Sequence, residues 1–212
     1  MALTLYYHPL SSFCWKALIA LYETGAPFKT VLLDQTTFAE FKALWPIGKM
    51  PALQDEARGE FVPESSFIIE HLDRFYPGAA PLLPTDPDRN REARARDRFL
   101  DLYVQVPMQK IVLNRLRPAD GKDALGVAEA RTMIAAALDL AEREWTFTPW
   151  AMGADFTIVE CAAAPALFYA EKVGALTPAH TNLSAYFERL KARPSVARVL
   201  KEAKPYMGNF PQ

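Results

Sequence analysis

Residues 77–87 read Pro77-Gly78-Ala79-Ala80-Pro81-Leu82-Leu83-Pro84-Thr85-Asp86-Pro87. The four prolines in this run remove backbone donors and push each preceding residue away from helical dihedrals, so neither a helix nor a central strand can run through it. The 212-residue chain must divide there. The spacing predicts a smaller unit over residues 1–76, a linker over 77–87 and a larger unit over 88–212.

The two sides carry different periodicities. Before the linker, residues 3–7 read as a short buried strand, 13–22 as a helix stopped by Gly25, and 30–33 as a second strand. Strand, short helix and strand make a βαβ unit with parallel pairing. A short helix over 38–44 follows, then a hairpin of strands 52–54 and 60–62 around Glu56-Ala57-Arg58-Gly59. A helix over 64–76 closes this half, with Ile68, Leu72 and Phe75 on one face. After the linker, segments 89–116, 123–145, 157–172, 178–192 and 194–203 all read as helices. Pro178 and Pro194 suit first helical positions, and Thr157 with Glu160 forms a capping box with Phe156 as staple. Pro107 is expected to kink the first long helix. The expected fold is therefore α/β before the break, as βαβ then ββα, and all-α after it.

Composition narrows the partners. The 24 basic and 25 acidic side chains leave a formal charge of −1, so no net field draws nucleic acid or an anionic bilayer. No apolar run approaches the roughly 18 residues of a membrane helix, and residues 1–10 show no basic leader or small-residue cleavage site, which predicts a cytoplasmic protein. Cys14 and Cys161 are too few for a disulfide framework, and with three scattered histidines they match no zinc-ligand spacing, so no metal is expected. The run 86–98 mixes both signs and reads as a solvated or subunit-facing helix start.

Chemistry enters at Leu10-Ser11-Ser12-Phe13, which joins the first strand to the first helix. A helix N-terminus offers free N–H groups and a positive dipole end. One hydroxyl can cap the helix while the other faces an anion, or both can simply cap. Glu64-Ser65-Ser66 opens the last helix of the same half and supplies a second such terminus. Between them, Gly48-Lys49-Met50-Pro51 places a proline just ahead of a strand, where a cis bond would expose the Met50 backbone to a ligand and a trans bond would make an ordinary turn.

Four motifs in this order resemble those of cytosolic glutathione transferases. They are Trp45-Pro46-Ile47-Gly48-Lys49-Met50-Pro51-Ala52-Leu53 and Pro63-Glu64-Ser65-Ser66-Phe67-Ile68-Ile69 before the break, and Asp155-Phe156-Thr157-Ile158-Val159-Glu160-Cys161-Ala162 and Arg193-Pro194-Ser195-Val196 after it. The resemblance spans nearly the whole chain and implies a thioredoxin-like domain followed by an all-helical domain, glutathione as co-substrate and a homodimer. Trp45, Met50 and Glu160 stand where the family usually has Asn, Val and Asp. Glutamate still closes a capping box, whereas Trp45 and Met50 alter the cleft wall.

Ser11-Ser12-Phe13-Cys14-Trp15-Lys16 resembles the serine loop of the zeta and theta classes, where the first serine contacts the glutathione sulfur. This implies Ser11 as the catalytic residue and leaves Ser12 as the cap, with Ser12 and Cys14 as alternatives at the sulfur. The resemblance also implies Glu64, Ser65 and Ser66 at the γ-glutamyl end, the Met50 backbone ahead of Pro51 at the cysteinyl main chain, and Lys49 at the glycyl carboxylate. The chemistry has a definite size. A thiol with a pKa of about 8.5 is only roughly 3% thiolate at pH 7, while one at about 6.5 is roughly three quarters thiolate. That shift needs about 2.7 kcal/mol, within reach of a hydroxyl hydrogen bond plus a helix N-terminus.

Phe13, together with Val104, Met108, Ile111 and Arg115 along one stripe of the first long helix, is expected to line an electrophile pocket, with Tyr206 and Phe210 offered by the tail. The same stripe reads equally as core, and Arg115 reads either as a binder of an acidic co-substrate or as a surface partner. Cys14 at a helix start supports a rival function, a glutathione-dependent thiol-disulfide oxidoreductase or dehydroascorbate reductase. A glutathione-dependent isomerase, a dehalogenase and a non-catalytic ligand carrier are further readings of the same fold. Tyr6 and Tyr7 offer a tyrosine-type alternative but lie within the strand. His8 with Cys14 lacks an orienting third group, and His71, His180 and Cys161 read as surface or packing residues.

Overall fold

The computed structural model describes residues 2–211. Strand β1 (Leu3–Tyr7) runs into helix α1 (Ser12–Thr24) and returns as β2 (Phe28–Leu32), parallel to β1. Helix α2 (Phe38–Leu44) leads to the hairpin β3 (Ala52–Asp55) and β4 (Glu60–Pro63), and β3 pairs antiparallel with β1. The sheet order is β2-β1-β3-β4, closed by α3 (Ser65–Phe75). This is the expected βαβ then ββα arrangement.

Side-chain alternation explains the layering. Leu3 and Leu5 of β1 join the main core with α1 and α3, while Tyr6, on the opposite face, packs its ring 5.4 Å from Phe41 of α2. Helix α1 is apolar nearly all round because it is covered on both sides, by the sheet and by the helical half. It ends at Gly25, whose left-handed φ of 69° lets its N–H reach the Leu21 carbonyl at 3.1 Å.

The second half comprises α4 (Pro87–Phe99), α5 (Val106–Arg115), α6 (Ala124–Glu144), α7 (Ile158–Lys172), α8 (Thr181–Ala192) and α9 (Pro194–Ala203). The segment expected as one long helix kinked at Pro107 is instead α4 and α5 joined by a π-helical stretch over Leu100–Gln105. Pro107 has no N–H to return to the carbonyl four residues earlier, so the ladder re-registers just ahead of it. The capping box at Thr157 is present. Glu160, fully buried, accepts from the Thr157 N–H and hydroxyl, the Ala151 N–H and the Tyr186 hydroxyl at 2.7–2.8 Å. Glutamate in place of the family's aspartate thus carries a full set of donors rather than a weakened cap.

Helix α8 starts at Thr181, not at Pro178, which lies in a turn. The reason lies on α6, where Glu142 accepts the N–H groups of Asn182 and Leu183 at 2.8 Å each and fixes the helix start there. Burial opposes ionisation of Glu142, but these two bonds win and hold its carboxyl below the usual range. Its stabilisation is therefore present above the unfolded-state value of about 4.3 and is lost as pH falls through the folded value. Glu142→Gln should cost about 1 kcal/mol in denaturant unfolding at pH 7, and the difference between the two proteins should shrink as pH falls from the unfolded-state value through the lowered folded value.

One ionic cluster docks the two halves. Lys16, in the middle of α1 and only 1% exposed, places its ammonium 2.6 Å from Asp97 of α4, 2.7 Å from Asp101 of the π-helical stretch and 2.8 Å from the Ser66 hydroxyl of α3. Burial alone would strip its proton, but the two carboxylates reverse this and raise its pKa. A second clamp joins the end of α1 to the start of α9, where Arg193 donates both Nε and Nη2 to Glu23 at 2.9 and 2.6 Å. Lys16→Met should destabilise the protein by roughly 3–5 kcal/mol in urea titration, because it strands two buried carboxylates. Adding Asp97→Asn and Asp101→Asn should recover most of that loss.

Candidate functional site

The loop from β1 to α1 is held group by group. Ser11 is the last residue with extended dihedrals (φ −81°, ψ 119°), and its hydroxyl oxygen accepts the Cys14 N–H at 3.3 Å. Ser11, not Ser12, is therefore the helix cap, which corrects the expectation that Ser12 takes this place. Ser12 is already helical and 2% exposed, and its hydroxyl has no hydrogen-bond partner among the described residues. Capping uses a lone pair on the Ser11 oxygen, so its O–H can rotate between the Cys14 sulfur and an acceptor outside the helix. Ser11 itself is half-buried beside that exit.

Cys14 lies one turn further in and is fully buried. Burial pushes its thiol up to about 12, against the opposing contacts from Ser11 and the His8 N–H. A sulfur in that state is a neutral thiol at physiological pH and has none of the thiolate character that redox exchange needs. Cys161 on α7 is also fully buried and shifted upward by that burial. Tyr7 is shifted upward as well, first by burial and then by Tyr206, which makes it a weaker acid, and Tyr6 is occupied against Phe41 and Phe61.

The second helix terminus lies at α3. Glu64 precedes it with a φ of 69°, a left-handed value in a non-glycine residue, and makes no side-chain capping bond. The first N–H groups of α3 thus lack an intrahelical partner. Ser65 is buried, and Glu64 is exposed. Ser66 departs from expectation, because its hydroxyl faces inward, accepting from Lys16 and donating to Asp97 at 2.8 Å each. Only its backbone N–H remains for a ligand at this terminus. The Met50–Pro51 bond is cis, with Pro51 buried, Met50 half-buried and Lys49 exposed. Trp45 and Met50 pack against the apolar cluster of Leu33, Phe41 and Ala52 beneath α2.

The stripe expected to line an electrophile pocket is placed differently. Val104, Met108 and Ile111 are 0–3% exposed, and Val104 borders a small apolar void shared with Ala137 and Leu138 of α6 and Ala163 and Leu167 of α7. These three are core, because α6 and α7 cover that face. Phe13 is half-buried. Arg115 is neither a surface partner nor directed at an acid: its Nη1 donates to the Pro211 carbonyl at 2.8 Å and ties down the tail. Phe210 of that tail is buried with its ring 5.5 Å from that of Tyr169.

His71 and His180 are buried packing residues, bonded to Asp55 and Asp139 respectively at 2.9 Å. Among the described residues no group of three or more His, Cys, Asp or Glu can hold a metal ion, and no helix is long and apolar enough to cross a membrane.

A thioredoxin-like sheet with two neighbouring helix N-termini, docked on a helical bundle, is the class of protein this architecture defines. Comparison with known proteins agrees. Residues 5–80 match the glutathione S-transferase N-terminal domain and residues 123–189 the glutathione S-transferase C-terminal domain. A solved glutathione S-transferase from Methylobacterium radiotolerans, in complex with glutathione sulfonate, is 31% identical, with a TM-score of 0.82 and 93% of each chain covered. A stringent starvation protein A homolog of Pasteurella multocida is 27% identical over 206 residues, 96% of this chain and 92% of the relative. The glutathione S-transferase GstB of Escherichia coli is 25% identical over 190 residues, 87% of this chain and 91% of the relative. The chain belongs to the glutathione S-transferase family.

The burial of both sulfurs has a direct readout. In the native protein at neutral pH, neither Cys14 nor Cys161 should react with a thiol-specific chromogenic reagent over the time in which a denatured sample reacts fully.

Proposed function

We propose that this protein is a glutathione transferase that holds the tripeptide across the two helix termini and stabilises its sulfur as a thiolate for attack on a small electrophile. One observation carries the reading: at the N-terminus of α1 the half-buried Ser11 hydroxyl caps the helix through its oxygen, which leaves its O–H able to turn to a ligand, while the neighbouring Cys14 is sealed in the core. The ligand's chemistry fits the residues present. A γ-glutamyl carboxylate meets the unpartnered N–H groups of α3, its ammonium meets Glu64, and the cysteinyl main chain runs beside Met50 ahead of Pro51. Lys49 reaches the glycyl carboxylate. The thiol loses its proton to solvent, the thiolate attacks an electrophilic carbon to form an S–C bond, and the leaving group departs with the bonding electrons. Ser11 and the α1 dipole stabilise the anion throughout, and no metal is needed for that step.

Exposed Phe67 on α3, Leu102 and Tyr103 on the π-helical stretch and Val106 on α5 support a homodimer, since large apolar side chains gathered on adjoining elements mark a subunit contact. Sedimentation should give twice the chain mass.

Ser11→Ala should lower kcat/KM with an aryl halide by about tenfold to a hundredfold, and Cys14→Ala by less than about threefold. Loss of activity in the cysteine variant alone would reassign the sulfur contact. Relatives named stringent starvation protein A homologs carry no enzyme name, and a non-catalytic glutathione-binding protein is the second reading. Retention on immobilised glutathione without turnover of aryl halides, peroxides, disulfides or maleyl acids would establish it.

A further inference from the structure

We propose that Tyr169, on α7 of the helical half, is the positioning residue that aims the Ser11 hydroxyl at the sulfur. The inference rests on the reading of Ser11 given above and adds a residue from the other half of the molecule to that site.

The geometry concerns a single peptide plane. Between Leu10 and Ser11 the carbonyl oxygen accepts the Tyr169 hydroxyl proton at 2.7 Å, and the N–H at the other end donates to the His8 carbonyl at 3.0 Å. With both ends bonded the plane cannot rotate, and it is this plane that carries the Ser11 Cα. The preceding plane is held at the Pro9 carbonyl by the Trp15 indole N–H at 2.5 Å, and the Leu10 N–H is taken by His8 Nδ1 at 3.2 Å. Cys14 N–H then sets the Ser11 side chain through its hydroxyl oxygen. Of the bonds fixing the Leu10–Ser11 plane among the described residues, the one from His8 is made within the loop and the one from Tyr169 comes from the helical half.

Tyr169 suits this task. It is 1% exposed, and its ring is wedged between Trp15 at 5.3 Å, Phe168 at 5.1 Å and Phe210 of the tail at 5.5 Å. Arg115 in turn holds the tail through Pro211. Burial pushes the Tyr169 hydroxyl upward, so it remains a proton donor across the whole working pH range. A donor that never titrates and a ring that cannot turn make a fixed reference point for the loop. A hydroxyl misplaced by a fraction of an ångström loses much of its effect on a developing charge.

The test is a double-mutant cycle of Ser11→Ala, Tyr169→Phe and the pair, reading the pKa of bound glutathione from its ultraviolet thiolate absorbance together with the pH–rate profile. Phenylalanine keeps the stacked ring, and thermal unfolding checks that the fold is retained. Tyr169→Phe alone should raise the bound-thiol pKa by about half a unit to one unit and lower kcat at pH 7 by about 1.5-fold to threefold, with the glutathione KM changed by less than about twofold. In the Ser11→Ala background the same change should have no further effect on the thiol pKa. An unchanged pKa and profile in Tyr169→Phe, even with a lowered melting temperature, would show that the bond is structural only and overturn the inference while leaving Ser11 in place. An equal shift in both backgrounds would also overturn it, since Tyr169 would then act independently of Ser11. Absence of any shift in Ser11→Ala itself would remove the reading of Ser11 and the inference with it.

Discussion

The buried contact of Lys16 with Asp97, Asp101 and Ser66 is the constraint on which the arrangement of the two halves depends. A cation 1% exposed is tolerated only where its partners are brought to it, and here they come from α3, α4 and the π-helical stretch. This fixes α1 against three other elements at once. Both helix termini of the candidate site belong to helices in that contact, α1 directly and α3 through Ser66. The site's electrostatics therefore depend on the docking of the helical half, although none of the charged groups in the cluster need touch the substrate. Two carboxylates against one ammonium leave the cluster short of positive charge, and burial accordingly raises the Asp101 carboxyl despite Lys16 beside it.

The same logic separates the two rival nucleophile contacts at the start of α1. Ser11 and Cys14 lie within one turn of each other and share a hydrogen bond, yet one is half-buried and the other lies in the core. A helix N-terminus lowers a thiol's pKa only where the thiolate can be solvated or paired. Cys14 is fully buried, and desolvation outweighs its contacts with Ser11 and the His8 N–H. A thiol supplied from outside, arriving at the half-buried start of the helix, would pay less of that penalty. The protein's own sulfur is in this sense an apolar packing atom, and the proposed function assigns the ionised sulfur to a bound peptide instead.

Most of the fold was legible in the sequence because period and punctuation agreed. The helix Phe38–Leu44 and the helix Pro194–Ala203 stand where apolar spacing and the N1 proline placed them, and Gly25 ends α1 as a left-handed residue. Failures occurred where a long-range partner decided a local outcome. Glu142, distant in sequence, sets the start of α8 over the claim of Pro178. The stripe Val104, Met108 and Ile111 has helical spacing, but which side of a helix faces a cleft depends on its neighbours, and here all three are buried, Val104 beside α6 and α7. Ser66 shares its sequence position at the helix start with Ser65, but its hydroxyl turns inward to Lys16. The signal for Lys16 was present: a lone cation within Cys14-Trp15-Lys16-Ala17-Leu18-Ile19, an otherwise apolar helix, demands a buried counter-ion. No comparable signal marks Tyr169, whose partner is a backbone carbonyl far away in sequence.

The central claim is that binding ionises the tripeptide's sulfur. Calorimetry of glutathione binding near pH 7, repeated in buffers of different ionisation enthalpy, counts the protons released, with S-methylglutathione as the reference that has none to lose. The account predicts release of about 0.7 proton per site with glutathione, the difference between a thiol of pKa about 8.5 and one of about 6.5, and none with the methylated peptide. Equal proton release for the two peptides would contradict it.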